Sequence, residues 1–160
     1  MGRAVSFWTE IRGLTPGEQA LAAGVFGQAV LLQTVRFLKS PWPFDRAFVA
    51  GRWFGRDWIV WPGRGLPTDF TTAPLSVQAV FIHEMVHVWQ AQTGVNLLAA
   101  KLRAGDSAAA YRYPTDDGCD WCRLNIEQQA MMVEHRFRQS RGGAVPAGAR
   151  FYADRLPFRP

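Results

Sequence analysis

His83 and Glu84, followed by His87, are the residues of this chain whose types and spacing could do chemistry. They lie in Phe81-Ile82-His83-Glu84-Met85-Val86-His87-Val88-Trp89-Gln90, so an H-E-x-x-H pattern sits in an apolar helical stretch. At 3.6 residues per turn the two imidazoles are about 40° apart on one face and one turn apart along the axis, within reach of a single ion. Imidazole nitrogen suits Zn2+ at about 2.0–2.1 Å, and a carboxylate beside the activated water can take its proton as that water attacks a carbonyl. Glu84 is the candidate general base. With three His and five Glu in 160 residues, chance would supply this pattern roughly 0.002 times per chain. An unpaired carboxylate among Phe81, Ile82, Met85 and Val86 would be costly to bury, and a metal site accounts for it.

One zinc ion with an open position needs a third protein ligand. The extension H-E-x-x-H-x-x-G-x-x-H would require a glycine at position 90 and a histidine at position 93, where the chain has Gln90 and Thr93. Sites of two His and one Glu take the carboxylate from a later helix, and Asn125-Ile126-Glu127-Gln128-Gln129-Ala130 opens one here. Glu127 is the expected third ligand, with Ala130 one turn on allowing close helix approach. His135 lies about 12 Å along that helix from Glu127, too far to share its ion, and reads as a surface histidine. Glu134 shares the Glu127 face; it could support a ligating His, or pair on the surface with Arg138 at i, i+4.

Zinc hydrolysis also recruits a group to face the developing oxyanion. Tyr111, Arg112 and Tyr113 lie between the two metal-ligand helices, with Tyr152 more remote; spacing does not choose among them, and Tyr113 is carried forward as the candidate. Cys119 and Cys122 form a lone C-x-x-C, with neither the further ligands of a zinc ribbon nor a thioredoxin-like context. They read as free thiols in the loop leading into the Glu127 helix, with a local disulfide as the next choice.

The elements that must position these groups are legible in part. Thr15-Pro16-Gly17-Glu18 is a T-x-x-E capping box with Pro at the first helical position, which predicts a helix over 16–26 ending at Gly27. Residues 29–61 carry β-branched and aromatic clusters at Val35 to Leu38, Phe48-Val49 and Trp58 to Trp61, broken by turn chemistry at Pro41-Trp42-Pro43 and Gly55-Arg56-Asp57. They predict two or three short strands. The period then switches, giving the metal helix from after Pro74 to Gly94, a short helix over Leu97 to Arg103, a turn-rich loop from Gly105 to Gly118 and a helix from Arg123 to Gln139. The tail from 145 to 160 reads as extended chain.

Composition sets the frame: 48% apolar and 19% charged residues are those of an ordinary globular chain, and 160 residues fit one domain with its core over about 14–140. The net charge of +5 comes from 18 basic and 13 acidic residues, and the Arg are scattered rather than clustered, which argues against a nucleic-acid role. No apolar run is long enough for a membrane span. The first fifteen residues lack the apolar core of a signal peptide, so the expectation is a cytoplasmic start, with any export by a leaderless route.

H-E-x-x-H on a helix followed by N-x-x-E-x-x-A resembles the gluzincin branch of the zincin metallopeptidases at the minigluzincin scale. Together with Leu14-Thr15-Pro16-Gly17-Glu18, these segments also look like those of bacterial VgrG-related proteins associated with contractile injection systems, from about residue 14 to 137. The resemblance implies a small α+β zincin-like domain: a short twisted antiparallel or mixed sheet, the metal-binding helix and a second helix carrying the third ligand. It implies one Zn2+ on His83, His87 and Glu127, Glu84 as general base, and a peptide or protein substrate. In zincins an edge strand before the metal helix pairs with extended substrate, and Trp58-Ile59-Val60-Trp61 is the candidate by order. A small zincin-like domain can also keep the site without turnover, as a zinc-bearing interaction module or a secretion-associated cargo or adaptor.

Overall fold

In the computed structural model, which describes residues 10–40 and 45–158, the expected α+β architecture is present. Strand β1 (Ile11–Arg12) leads into helix α1 (Pro16–Phe26); β2 (Val35–Ser40), β3 (Phe48–Trp53) and β4 (Arg56–Pro62) follow. Then come the helices α2 (Leu75–Gln92), α3 (Leu97–Ala104), α4 (Ile126–Ser140) and α5 (Ala149–Arg155). The sheet is mixed, with strand order β1-β2-β4-β3: β2 and β4 are parallel, the other two pairs antiparallel.

Helix α1 starts as its capping box requires, with the Thr15 side chain accepting from the Glu18 amide and the Glu18 carboxylate accepting from the Thr15 amide. Glu18 does more than cap. Fully buried, it also takes both Arg12 terminal nitrogens at 2.8 Å and the Phe70 amide at 3.0 Å, tying β1 and the approach to α2 onto α1. Phe70 then stacks on Phe81 at 4.8 Å and packs on Phe37 and Trp61, which fixes the start of α2 on the sheet. Helix α2 lies between sheet and α4, and every residue from Phe81 to Val88 is buried. The backbone that carries the His and Glu of its motif is therefore held by packing on both sides.

Two expectations change. Trp58 to Trp61 do not form an edge strand: β4 lies between β2 and β3 with both hydrogen-bonding edges used. Its consecutive buried Ile59, Val60 and Trp61 are the signature of an interior strand, whereas β3 is mostly exposed and stands at the sheet edge. The tail is not wholly extended either. Its Ala149–Arg155 segment forms α5, with Tyr152 fully buried against Cys119 and Met132 in a second apolar cluster. The turn read at Pro41-Trp42-Pro43 and the first nine residues lie outside the described residues. A two-residue hairpin turn joins β3 to β4 with Phe54 at φ 53° and Gly55 at φ 71°, as a tight right-twisted hairpin demands. Among the described residues no helix is long and apolar enough to cross a membrane.

Candidate metal centre

The site is built where α2 crosses α4. The Asn125 side chain accepts from the Gln128 amide and Gln128 Oε1 accepts from the Asn125 amide, so α4 opens on a reciprocal cap that puts Glu127 in its first turn. The same cap anchors the preceding loop, because Asn125 Nδ2 donates to the Ala110 carbonyl and Gln128 Nε2 to that of Arg112. Ala130, fully buried, lets the two helices approach closely.

His83, His87 and Glu127 bring one ligand atom each to within 4.8 Å of one another. His83 Nε2 and His87 Nε2 both face Glu127 Oε2, at 3.3 and 3.4 Å. Each imidazole is committed at its other nitrogen. His83 Nδ1 donates to Glu134 Oε2 at 3.1 Å, and Glu134 is itself held by Arg138 at 2.8 Å. His87 Nδ1 donates to Gln90 Oε1 at 2.8 Å; Gln90 Nε2 donates to the Ile126 carbonyl and Gln129 Oε1, which leaves its oxygen for the imidazole. With both Nδ1 occupied as donors, it is each Nε2 that faces the shared space, where a metal displacing the Nε2 proton would meet the lone pair, the arrangement that orients metal-ligating histidines.

Glu84, buried beside the two His, has no hydrogen-bond partner at Oε2. Burial pushes its pKa above the ordinary carboxylate range against the pull of His87 and His83. Burial works to lower His83, but its hydrogen bonds to Glu127 and Glu134 outweigh this and raise it to about 9. Glu127 moves the other way: burial would raise it, yet the hydrogen bonds from His83, His87 and Lys101 hold it well below the usual range. Two borderline nitrogens, one hard oxygen and an orphaned buried carboxylate oxygen form a donor set that fits zinc.

The site opens into a cleft. One cavity of about 560 Å3 runs along the β3 edge from Ala47 to Ala50 and across to Leu97, Leu98 and Lys101 of α3; another of about 590 Å3 lies toward Trp61, Ser76 and Glu134. Both share Arg46, Ala47, His83, Glu84 and Tyr111.

No protein-family model matches the chain. The solved effector domain of Pseudomonas aeruginosa VgrG2b is similar to it with a TM-score of 0.66 and 33% identity, over 81% of this chain and 75% of that one. The chain belongs to the VgrG2b effector-domain family. The type VI secretion system spike protein VgrG2b of the same organism is 35% identical across 88% of this chain but only 14% of its own length, so the chain spans about one seventh of that protein.

Within this member of the VgrG2b effector-domain family, the remaining expected residues fall as follows. Tyr113 does not line either cavity: its hydroxyl bonds His135 Nδ1 at 2.5 Å and Tyr152 at 3.2 Å, in the cluster under α5. Tyr111 is the phenol in the cleft, its ring lying over His83. His135, read as a surface residue, is half-buried against Tyr113. Glu134 is buried rather than on the surface, and from there it bonds His83 while keeping the pairing with Arg138. Cys119 is buried, Cys122 exposed, and both are free, as expected. Trp58, Ile59 and Val60 do not border the cleft; Trp61 borders the second cavity, and the backbone edge along the cleft is that of β3. Sequence reasoning missed Gln90 and Lys101. Gln90 carried a usable signal, three residues past His87 on the same helical face; Lys101, on a separate helix 26 residues before Glu127, carried none.

Proposed function

We propose that the chain is a secretion-delivered effector domain that hydrolyses peptide bonds, using one zinc ion held by His83, His87 and Glu127 with Glu84 as general base. The observation that carries the reading is the convergence of two oriented Nε2 atoms on Glu127 Oε2 beside a buried carboxylate oxygen with no partner. Zinc bound there supplies Lewis acidity, polarising a carbonyl and lowering the pKa of a water toward about 7.

The chain's own residues supply the rest. Glu84 Oε2 accepts the proton of the attacking water and passes it to the leaving amine, a transfer favoured by its burial-raised pKa. Glu134 and Gln90 hold the imidazoles in the ligating tautomer. The 49–53 stretch of β3, at the sheet edge among the described residues, offers backbone donors and acceptors to an extended chain lying across both cavities. Because Tyr111 and not Tyr113 lines the cleft, the oxyanion-facing role moves to Tyr111.

The secretion assignment rests on the relatives' names, a VgrG2b effector domain and a type VI secretion spike protein. It is consistent with a cytoplasmic start and leaderless export, and the comparisons favour this cargo role above any particular activity. A second reading therefore keeps the zinc and the delivery but assigns the domain to binding without turnover. Cleavage of a denatured protein by the zinc-loaded chain separates the two. Turnover that Glu84→Gln abolishes while metal content is unchanged supports the hydrolase; zinc retention with no turnover against a broad peptide library supports the module.

A further inference from the structure

Glu127 turns its two carboxylate oxygens to different partners. Oε2 faces both His Nε2 atoms, while Oε1 lies 2.5 Å from Lys101 Nζ. Lys101 comes from α3, a helix with no buried residue of its own, and its ammonium also donates to Tyr111 Oη at 3.0 Å and lies 5.3 Å from the centre of that ring. Tyr111 donates in turn to Asp106. The side chain thus reaches in from a loosely seated helix to grip the back of the expected metal ligand. A cation there opposes the arrival of a divalent metal, so its effect on affinity is unfavourable and its use must lie elsewhere.

We propose that Lys101 is a positioning residue of the metal centre: by occupying Glu127 Oε1 it restricts Glu127 to one metal-binding oxygen and keeps a coordination position open. This rests on the zinc-site reading above. A carboxylate free at both oxygens can bind in a bidentate manner, and with two imidazoles and a water that would raise the shell from four neighbours to five and crowd the position a catalytic zinc keeps for water or substrate. The charge-assisted bond to Lys101 is short and aimed at one oxygen only, so bidentate binding would have to break it. The same bond withdraws charge from Glu127, leaving the metal a stronger Lewis acid and a less tightly held one.

The sign of the effect on affinity separates this role from a merely structural one. In Lys101→Met, zinc and cobalt should bind an order of magnitude more tightly, while turnover falls. Zinc-edge absorption should change from four nitrogen or oxygen neighbours to five, and the visible absorption of the cobalt form should drop several-fold. Lys101→Arg, which keeps a donor and a charge, should retain the wild-type spectra. The Lys101 side chain is 44% exposed, so the fold should survive, as circular dichroism of the metal-free variant would show. Should Lys101→Met not fold, Lys101→Ala with added ethylammonium provides the second arm, in which the amine restores the four-neighbour shell. An unchanged shell in Lys101→Met or Lys101→Ala, or looser zinc binding, would overturn the proposal and leave Lys101 as an anchor for α3. Wild type that takes up neither metal would remove the zinc-site reading itself, and this one with it.

Discussion

On the floor of the cleft, His83, Glu84, His87, Gln90, Glu127 and Glu134 are each no more than 8% exposed; along its rim, Trp53 and Leu98 are 61% and 73% exposed. The floor comes from two long helices packed against each other, and its side chains are nearly all committed to named partners. The rim comes from an edge strand and from α3, joined to the floor through Lys101 and across the mouth by an exposed Arg46–Asp106 pair at 4.0 Å. Exposed pairs of this kind contribute little. Rigid placement serves reacting groups that must be held to fractions of an ångström, and an adaptable apolar rim serves a substrate whose side chains vary.

If that division is correct, floor and rim substitutions should differ in kind. The largest effect belongs to Glu84→Gln, which should lower turnover by about 10²–10⁴-fold with zinc content and melting temperature unchanged, as read by cleavage assay, elemental analysis and calorimetry. Retained turnover would place the base elsewhere. Next come the residues behind the histidines: Glu134→Gln and Gln90→Leu should each weaken zinc binding by about 10–100-fold in competition with a chromophoric chelator. Equal affinity in either would mean that its imidazole is oriented by helix packing alone.

A pH series sharpens the floor further. His83 without metal titrates at about 9, above its ordinary value of 6.5, because Glu127 and Glu134 outweigh burial. Its proton therefore stabilises the metal-free fold fully below 6.5, a contribution lost as pH rises through about 9. Zinc must expel that proton, so affinity should rise by about tenfold per pH unit up to about 9, with proton release seen in buffers of different ionisation enthalpy. A pH-independent affinity between 7 and 8.5 would contradict the arrangement. The smallest effect is expected on the rim: Leu98→Ser should change unfolding free energy by no more than about 0.5 kcal/mol while altering KM more than kcat. A large loss of stability would mean that α3 belongs to the floor.

The same contrast runs through what the sequence made legible. The floor announced itself because its groups are local in sequence: two His and a Glu within one helical turn, a Glu in the first turn of a capped helix, and the Thr15–Glu18 box that begins α1. Glu134 was ambiguous because i, i+4 spacing to Arg138 explains a surface carboxylate as well as a buried one. The rim stayed hidden because it depends on topology. Local pattern marks β3 and β4 as strands without saying that β4 is inserted between β2 and β3, and it cannot say which of Tyr111, closing a short 3-10 turn, and Tyr113, in the loop beyond it, turns toward the cleft. Lys101 meets Glu127 only through the packing of α3 on α4.

The central claim is that His83, His87 and Glu127 share one zinc ion. Elemental analysis of the purified chain after exhaustive dialysis, wild type beside His83→Ala and Glu127→Ala, tests it most directly. One zinc per chain in wild type, and its loss in both variants with the fold retained, is the result this account predicts; no zinc in wild type, or zinc that persists in either variant, would contradict it.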